Sequence, residues 1–244
     1  MKVLIHYYLK TIFFSALLVA GLSSCSRSKG ISGDHTVYDA GYIGLSEAEK
    51  RVHSKRQVRI VLDAGHGGQD YGTHSLGRPR FHEKYLALST TFMVKSYLSR
   101  LGYQPVLTRR SDEFIPLQER ARMANSKKAH LFVSIHYNSA PNRQAHGIEV
   151  FYYDSKTDEQ RRLRSKLLAT SVLDHLIDAT KARSRGVKKG NFAVIRETDM
   201  AAVLIEAGFL TNEAEMKKIE DSKYLKSLAK GIALGIDRYV QEVY

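Results

Sequence analysis

Three apolar runs in this chain each end on a polar residue, and that pattern constrains the fold more than any other feature. Val58-Arg59-Ile60-Val61-Leu62 leads into Asp63-Ala64-Gly65-His66-Gly67-Gly68. Leu131-Phe132-Val133-Ser134-Ile135 leads into His136-Tyr137-Asn138, and Ala202-Val203-Leu204-Ile205 into Glu206-Ala207-Gly208-Phe209. Short β-rich apolar runs read as buried strands. In open α/β sheets the ligand crevice lies outside the carboxyl ends of the strands. His66, His136 and Glu206 are therefore expected to converge there despite their separation in sequence. The glycines after His66 let the backbone turn sharply and approach closely.

Between these runs lie helical stretches. Lys84–Leu101 carries Leu86, Met93, Tyr97 and Leu101 on one stripe, with Gly102 as its stop. Helices are also expected at Pro116–Asn125 and Glu159–Thr180. The last, from about Lys223 to Val243, should bury Leu225, Leu228, Ile232, Ile236 and Tyr239. Further strands are read at Gln104–Thr108, Ile148–Tyr153 and Ala193–Ile195. Alternating strands and helices give an α/β domain over residues 57–244: a mostly parallel, twisted central sheet of about six strands flanked by helices. The strand near Ile148 is the candidate for an antiparallel neighbour.

Two histidines on a crevice rim make half a metal site. Catalytic zinc takes three protein ligands, often two His and one Glu, and keeps one position open. Glu83 is placed to be the third, at the start of the helix after the first strand. A helix-start carboxylate is also favoured by the dipole alone, and the adjacent His82 competes for the ligand role. On position alone Glu206, at the end of an apolar strand, reads as a buried ion-pair partner, for instance of Arg109 or Arg120. Asn138 could orient His136 or contact a substrate.

As an ordered set, these motifs resemble the zinc-dependent N-acetylmuramoyl-L-alanine amidases of bacterial cell-wall remodelling. The set comprises Asp-Ala-Gly-His-Gly-Gly, a helix-start Glu, Ser-Ile-His-Tyr-Asn and Ile-Glu-Ala-Gly-Phe-Leu-Thr-Asn. The resemblance spans about residues 58–240. It implies zinc on His66, Glu83 and His136, and a catalytic role for Glu206. It also implies hydrolysis of the amide between N-acetylmuramic acid and L-alanine in peptidoglycan. Thr108-Arg109, Leu117-Gln118-Glu119-Arg120 and Ala124-Asn125 fit the same pattern as builders of the fold and cleft wall. Some members carry an inserted helix that plugs the zinc site until a partner removes it. Phe151-Tyr152-Tyr153-Asp154 leads quickly into a basic helical stretch with no room for a plug, so the chain reads as an ungated form.

The N-terminus points to export. Lys2 and Lys10 precede an apolar stretch, Ile12 to Leu22, of signal-peptide size rather than membrane-span size. Leu22-Ser23-Ser24-Cys25 resembles a lipobox, giving a signal peptide over 1–24, lipidation at Cys25 and a tether over 25–56, within which Ser46–Ser54 could form a short helix. Ser26 after the cysteine favours the outer membrane, with the domain in the periplasm. Cys25 is the only cysteine in 244 residues, which excludes a thiolate zinc site or a cysteine nucleophile in the domain. The net charge of +13 falls to +11 once Lys2 and Lys10 are removed. Such a surface suits the carboxylates of peptidoglycan stems, and export argues against nucleic acid. The membrane enters as a partner through the lipid anchor; divisome or activator proteins are candidate partners that the residues do not identify.

Three other readings compete. A zinc peptidase cutting within the stem would use the same crevice chemistry. Ser227-Leu-Ala-Lys230 fits the Ser-x-x-Lys pattern of penicillin-binding enzymes, but Lys188-Lys189-Gly190 lacks the hydroxyl residue of the partner motif. A non-enzymatic peptidoglycan-binding protein should have lost a ligand or the base, and all four residues are present.

Overall fold

The computed structural model describes residues 46–244. The apolar N-terminal stretch, Cys25 and the tether up to residue 45 lie outside the described residues. Among the described residues no helix is long and apolar enough to cross a membrane. Helix α1 (Glu47–Gln57) starts at Ser46, whose side chain and that of Glu49 form a reciprocal capping box. Its Lys55 reaches across to Asp237 (2.6 Å) and lies over the Tyr103 ring, fastening the helix to the domain.

The remaining elements are β1 (Ile60–Ala64), α2 (Glu83–Arg100), β2 (Val106–Leu107), α3 (Leu117–Ser126), β3 (Leu131–Asn138), β4 (Ile148–Tyr152), α4 (Glu159–Thr180), β5 (Ser184–Lys189), α5 (Ala193–Arg196), β6 (Ala201–Phe209), α6 (Glu213–Glu220) and α7 (Ser222–Val243). They form one six-stranded sheet in the order β2-β1-β3-β6-β4-β5. β1, β2, β3 and β6 run parallel, β4 is antiparallel to β6, and β5 is parallel to β4. The α/β reading holds, including the antiparallel strand near Ile148.

The two faces are covered unequally. One side of the alternation, with Leu62, Val133, Ile135, Val203 and Ile205, packs on the buried residues of α2, α4 and α7. All five residues expected to be buried in α7 are buried. Gly235 brings α7 against α4: a Cβ there would lie 2.5 Å from Val172 Cα. The α2 stripe sits slightly round from the expected one, with Leu86, Thr90, Val94 and Leu98 buried and Met93 and Tyr97 at its flank. The other face, with Val61, Phe132, Ala202 and Leu204, packs against a smaller cluster containing Ala124, Val194 and Ile195 from the short helices α3 and α5. His136 and Glu206 continue the alternation of Phe132 and Leu204, so they emerge on this thinly covered face.

Two expectations need correction. Ala193-Val194-Ile195 is a turn of helix, not a strand; an apolar triplet dictates burial but is too short to choose between periods. The sixth strand is Ser184–Lys189, whose sequence SRGVKK has one large apolar residue because it is a half-exposed edge. β3 and β6 also run past their apolar runs, so His136 and Glu206 sit inside strands rather than beyond them.

Candidate metal and catalytic site

His66, Glu83 and His136 meet at one point. Glu83 Oε1 lies 2.9 Å from His66 Nε2 and 2.9 Å from His136 Nδ1, and the two ring nitrogens are 3.2 Å apart. Ligand atoms around tetrahedral zinc, each about 2.0–2.1 Å from the ion, stand roughly 3.3 Å from one another. Three donors already gathered at nearly that spacing fit a dication, and among the described residues they form the one group of His, Cys or carboxylate donors that could hold a metal.

The backbone is shaped to bring them together. His66 itself has positive φ (59°), a conformation uncommon for a non-glycine residue. A Cβ on Gly65 would lie 2.4 Å from the His136 ring, and one on Gly72 would lie 2.5 Å from Glu83 Oε2. Each glycine therefore leaves room that a ligand side chain occupies. Arg109 and Arg120 hold the turn from below. Arg109 donates to the carbonyls of Ala64, Gly65 and Lys84; Arg120 donates to those of Ala64 and His66 and to Asp63 Oδ1. Both cations are thus committed to the β1 turn, which removes the ion-pair alternative for Glu206.

Outer groups orient the ligands. Asp70 Oδ2 accepts from His66 Nδ1 at 2.8 Å, leaving Nε2 for the cluster. Glu83 accepts from the backbone N–H groups of Thr73 and Tyr137. Burial would raise the Glu83 carboxyl, but hydrogen bonds and attraction from His136 and His66 pull it far below the usual carboxylate range. Burial would lower His66, but Glu83 and Asp70 outweigh it and hold its pKa up. The pocket therefore favours positive charge at its centre.

Glu206 is the register partner of His136 across β3 and β6, and of Glu149 across β6 and β4. Its Oε2 is buried with no hydrogen-bond partner. Burial, then repulsion from Glu83 and Glu149, pushes its pKa well above the ordinary value. A carboxylate with a raised pKa and an unpartnered oxygen, beside a candidate metal site, has the environment of a general base.

The other candidates fall elsewhere. His82 is the N-terminal residue before α2; its ring packs beside Tyr71 and His74 and lies outside the donor group. Asn138 does not orient His136: its Nδ2 donates to Glu149 at 2.7 Å. Ser227 and Lys230 lie on α7, with Lys230 exposed. Asp70 and Glu149 were not singled out from sequence. Asp70 had a faint signal, a carboxylate four residues after a motif histidine. Glu149 had none beyond being a charge inside an apolar strand.

The chain is matched over residues 60–238 by the family model described as N-acetylmuramoyl-L-alanine amidase. It belongs to that family. A solved N-acetylmuramoyl-L-alanine amidase from Clostridium difficile 630 is 38% identical with a TM-score of 0.72, the match covering 78% of this chain and all of that one. An uncharacterized Bacillus subtilis protein, YqiI, is 36% identical over 183 residues, 75% of this chain and 85% of its own length. The amidase AmiC of Neisseria meningitidis is 31% identical over 228 residues. That match covers 78% of this chain but 54% of AmiC, so the chain spans about half the length of that relative. The members' shared fold agrees with the single α/β domain seen here. The connection from β4 to α4, residues 153–158, holds no inserted helix.

Proposed function

We propose that this protein hydrolyses the amide bond between N-acetylmuramic acid and the L-alanine of the peptidoglycan stem, with zinc on His66, Glu83 and His136. The observation that carries the reading is Glu206: a half-buried carboxylate whose Oε2 is buried and unpartnered, in register beside one of three converging metal donors. Zinc bound there would acidify a water and polarise the scissile carbonyl. Glu206 takes the proton of the attacking water and returns it to the leaving nitrogen. Asp70 holds the His66 ring in place, and Asn138 offers an amide on the crevice wall.

A groove of about 860 Å³ lies between Ser75–Pro79 and α6, and none of His66, Glu83, His136 and Glu206 lines it. With no inserted helix after β4, the site should need no partner to unplug it. The reading extends to export and acylation at Cys25, supported by Leu22-Ser23-Ser24-Cys25. Loss of the protein from the membrane fraction in Cys25→Ser tests that part.

The deciding experiment is mass spectrometry of digested muropeptides. Released stems with a free L-alanine amino terminus support the amidase. Intact lactyl-alanine linkages with shortened stems would assign the chain to the peptidases instead.

A further inference from the structure

Glu149 continues the line of functional side chains across the sheet. His136, Glu206 and Glu149 are successive register partners on β3, β6 and β4, and all three face the thinly covered side. Glu149 is 4% exposed. Beyond it, on the edge strand β5, Arg185 Nε bonds its Oε2 at 2.9 Å and Lys188 Nζ bonds the same oxygen. Asn138 donates to its other oxygen.

The charges do not cancel. One carboxylate faces two cations, which leaves one positive charge in surplus. That surplus is reachable, because the side chains of Arg185 and Lys188 are 28% and 38% exposed while that of Glu149 is 5% exposed. Cations on an edge strand often serve only to block edge pairing. On this strand Lys189 bonds the outlying Asp154 instead, whereas Arg185 and Lys188 turn inward over Glu149. Lys188 also lies over the Phe151 ring, and Phe151 packs edge-on to the half-exposed Phe192. This packing and the shared carboxylate restrict both side chains.

We propose that Arg185 and Lys188, held by Glu149, form the subsite for a carboxylate of the substrate, on the edge strand two strands along the sheet from Glu206. The proposal rests on the amidase reading, since it places the stem's free carboxylate on the β4–β5 side of the scissile amide. A guanidinium and an ammonium already fixed by a buried carboxylate need little further ordering to receive a second carboxylate. A substrate whose carboxylate is converted to an amide loses the charge-assisted contact.

The test uses calorimetry with the Glu206→Gln protein, which should bind without turning over. The probes are two muramoyl peptides identical except that one carries a free carboxylate on the second residue and the other a carboxamide. The carboxylate probe should bind at least about tenfold tighter, in line with one charge-assisted contact. Adding Lys188→Gln, which leaves Arg185 on Glu149, should bring that ratio near one; Lys188→Arg should restore much of it. Lys156→Gln, at an exposed lysine paired with Asp154, controls for surface charge and should leave the ratio in place. Equal affinity for the two probes, binding of neither, or the same loss in Lys156→Gln overturns the subsite. The position of cleavage in digested muropeptides is read separately, so a stem-cutting enzyme that still prefers the carboxylate would overturn the amidase reading and leave the subsite standing.

Discussion

Two carboxylates on the same face of the sheet, one fully buried and one with a single buried oxygen, have opposite surroundings. Asp63, on β1, is fully buried and receives three side chains: Thr108 Oγ1 at 2.6 Å, Ser134 Oγ at 2.7 Å and Arg120 Nη1 at 2.9 Å. Burial would raise its pKa, but the Arg120 charge and the two hydroxyl hydrogen bonds outweigh this and lower it. Glu206, two strands away, has a buried oxygen with no partner and carboxylates for neighbours, and its pKa goes up. Burial is common to both; the partners decide the sign. A satisfied carboxylate holds a structure together, and an unsatisfied one is available to hold and release a proton.

The largest effect should come from removing that availability. Glu206→Gln keeps the shape and hydrogen-bonding capacity but cannot accept the water proton. Its turnover on peptidoglycan should fall by roughly 10²–10⁴, the usual worth of a general base, with metal content measured by mass spectrometry unchanged. His66→Ala should lose both metal and activity. Equal metal loss in the two variants would mean that Glu206 is a ligand, and the contrast with Asp63 would then be one between two structural carboxylates.

The same change at Asp63 should act on stability instead. Asp63→Asn leaves Arg120 buried without its counter-charge, which costs about 3 kcal/mol or more by the usual behaviour of broken buried pairs. Because the folded-state pKa of Asp63 is lowered, its contribution is present above the ordinary carboxylate range. It is lost as pH falls through the folded value. Denaturant melts should therefore show wild type and Asp63→Asn converging in strong acid and diverging toward neutrality. A constant gap across that range would show that Asp63 does not bring its charge to the fold.

The sequence made one of these carboxylates legible and hid the other. His66, Glu83, His136 and Glu206 could be picked out because each ends an apolar run or starts a helix, and strand order in an α/β sheet brings such ends together. The main strands and the long helix α7 were readable for the same reason: their burial is written in periodicity. Asp63 lies beside His66 in the same motif, yet its partners Thr108, Ser134 and Arg120 come from three distant segments, so its role appears only with the register. Glu149 depends likewise on an antiparallel pairing that places it against Glu206. β5 escaped notice because an edge strand needs no apolar run. Residues 193–195 misled because three apolar residues fit a strand and a helical turn equally well.

The smallest effect is the sharpest check on the contrast. In the folded, metal-chelated protein Glu206 binds its proton more tightly than in the unfolded chain. The unfolded state therefore releases that proton first, and stability falls as pH rises from the ordinary glutamate range toward the raised folded value. Glu206→Gln carries no such penalty. At neutral pH the chelated variant should melt above the chelated parent. Well below the ordinary glutamate value of 4.5 the two should melt together, because Glu206 is then protonated in both states. The same enzyme would thus become more stable by losing its base, as expected of a group strained for function. A lower melting temperature for Glu206→Gln at neutral pH would place Glu206 with Asp63, among the carboxylates that the fold needs charged.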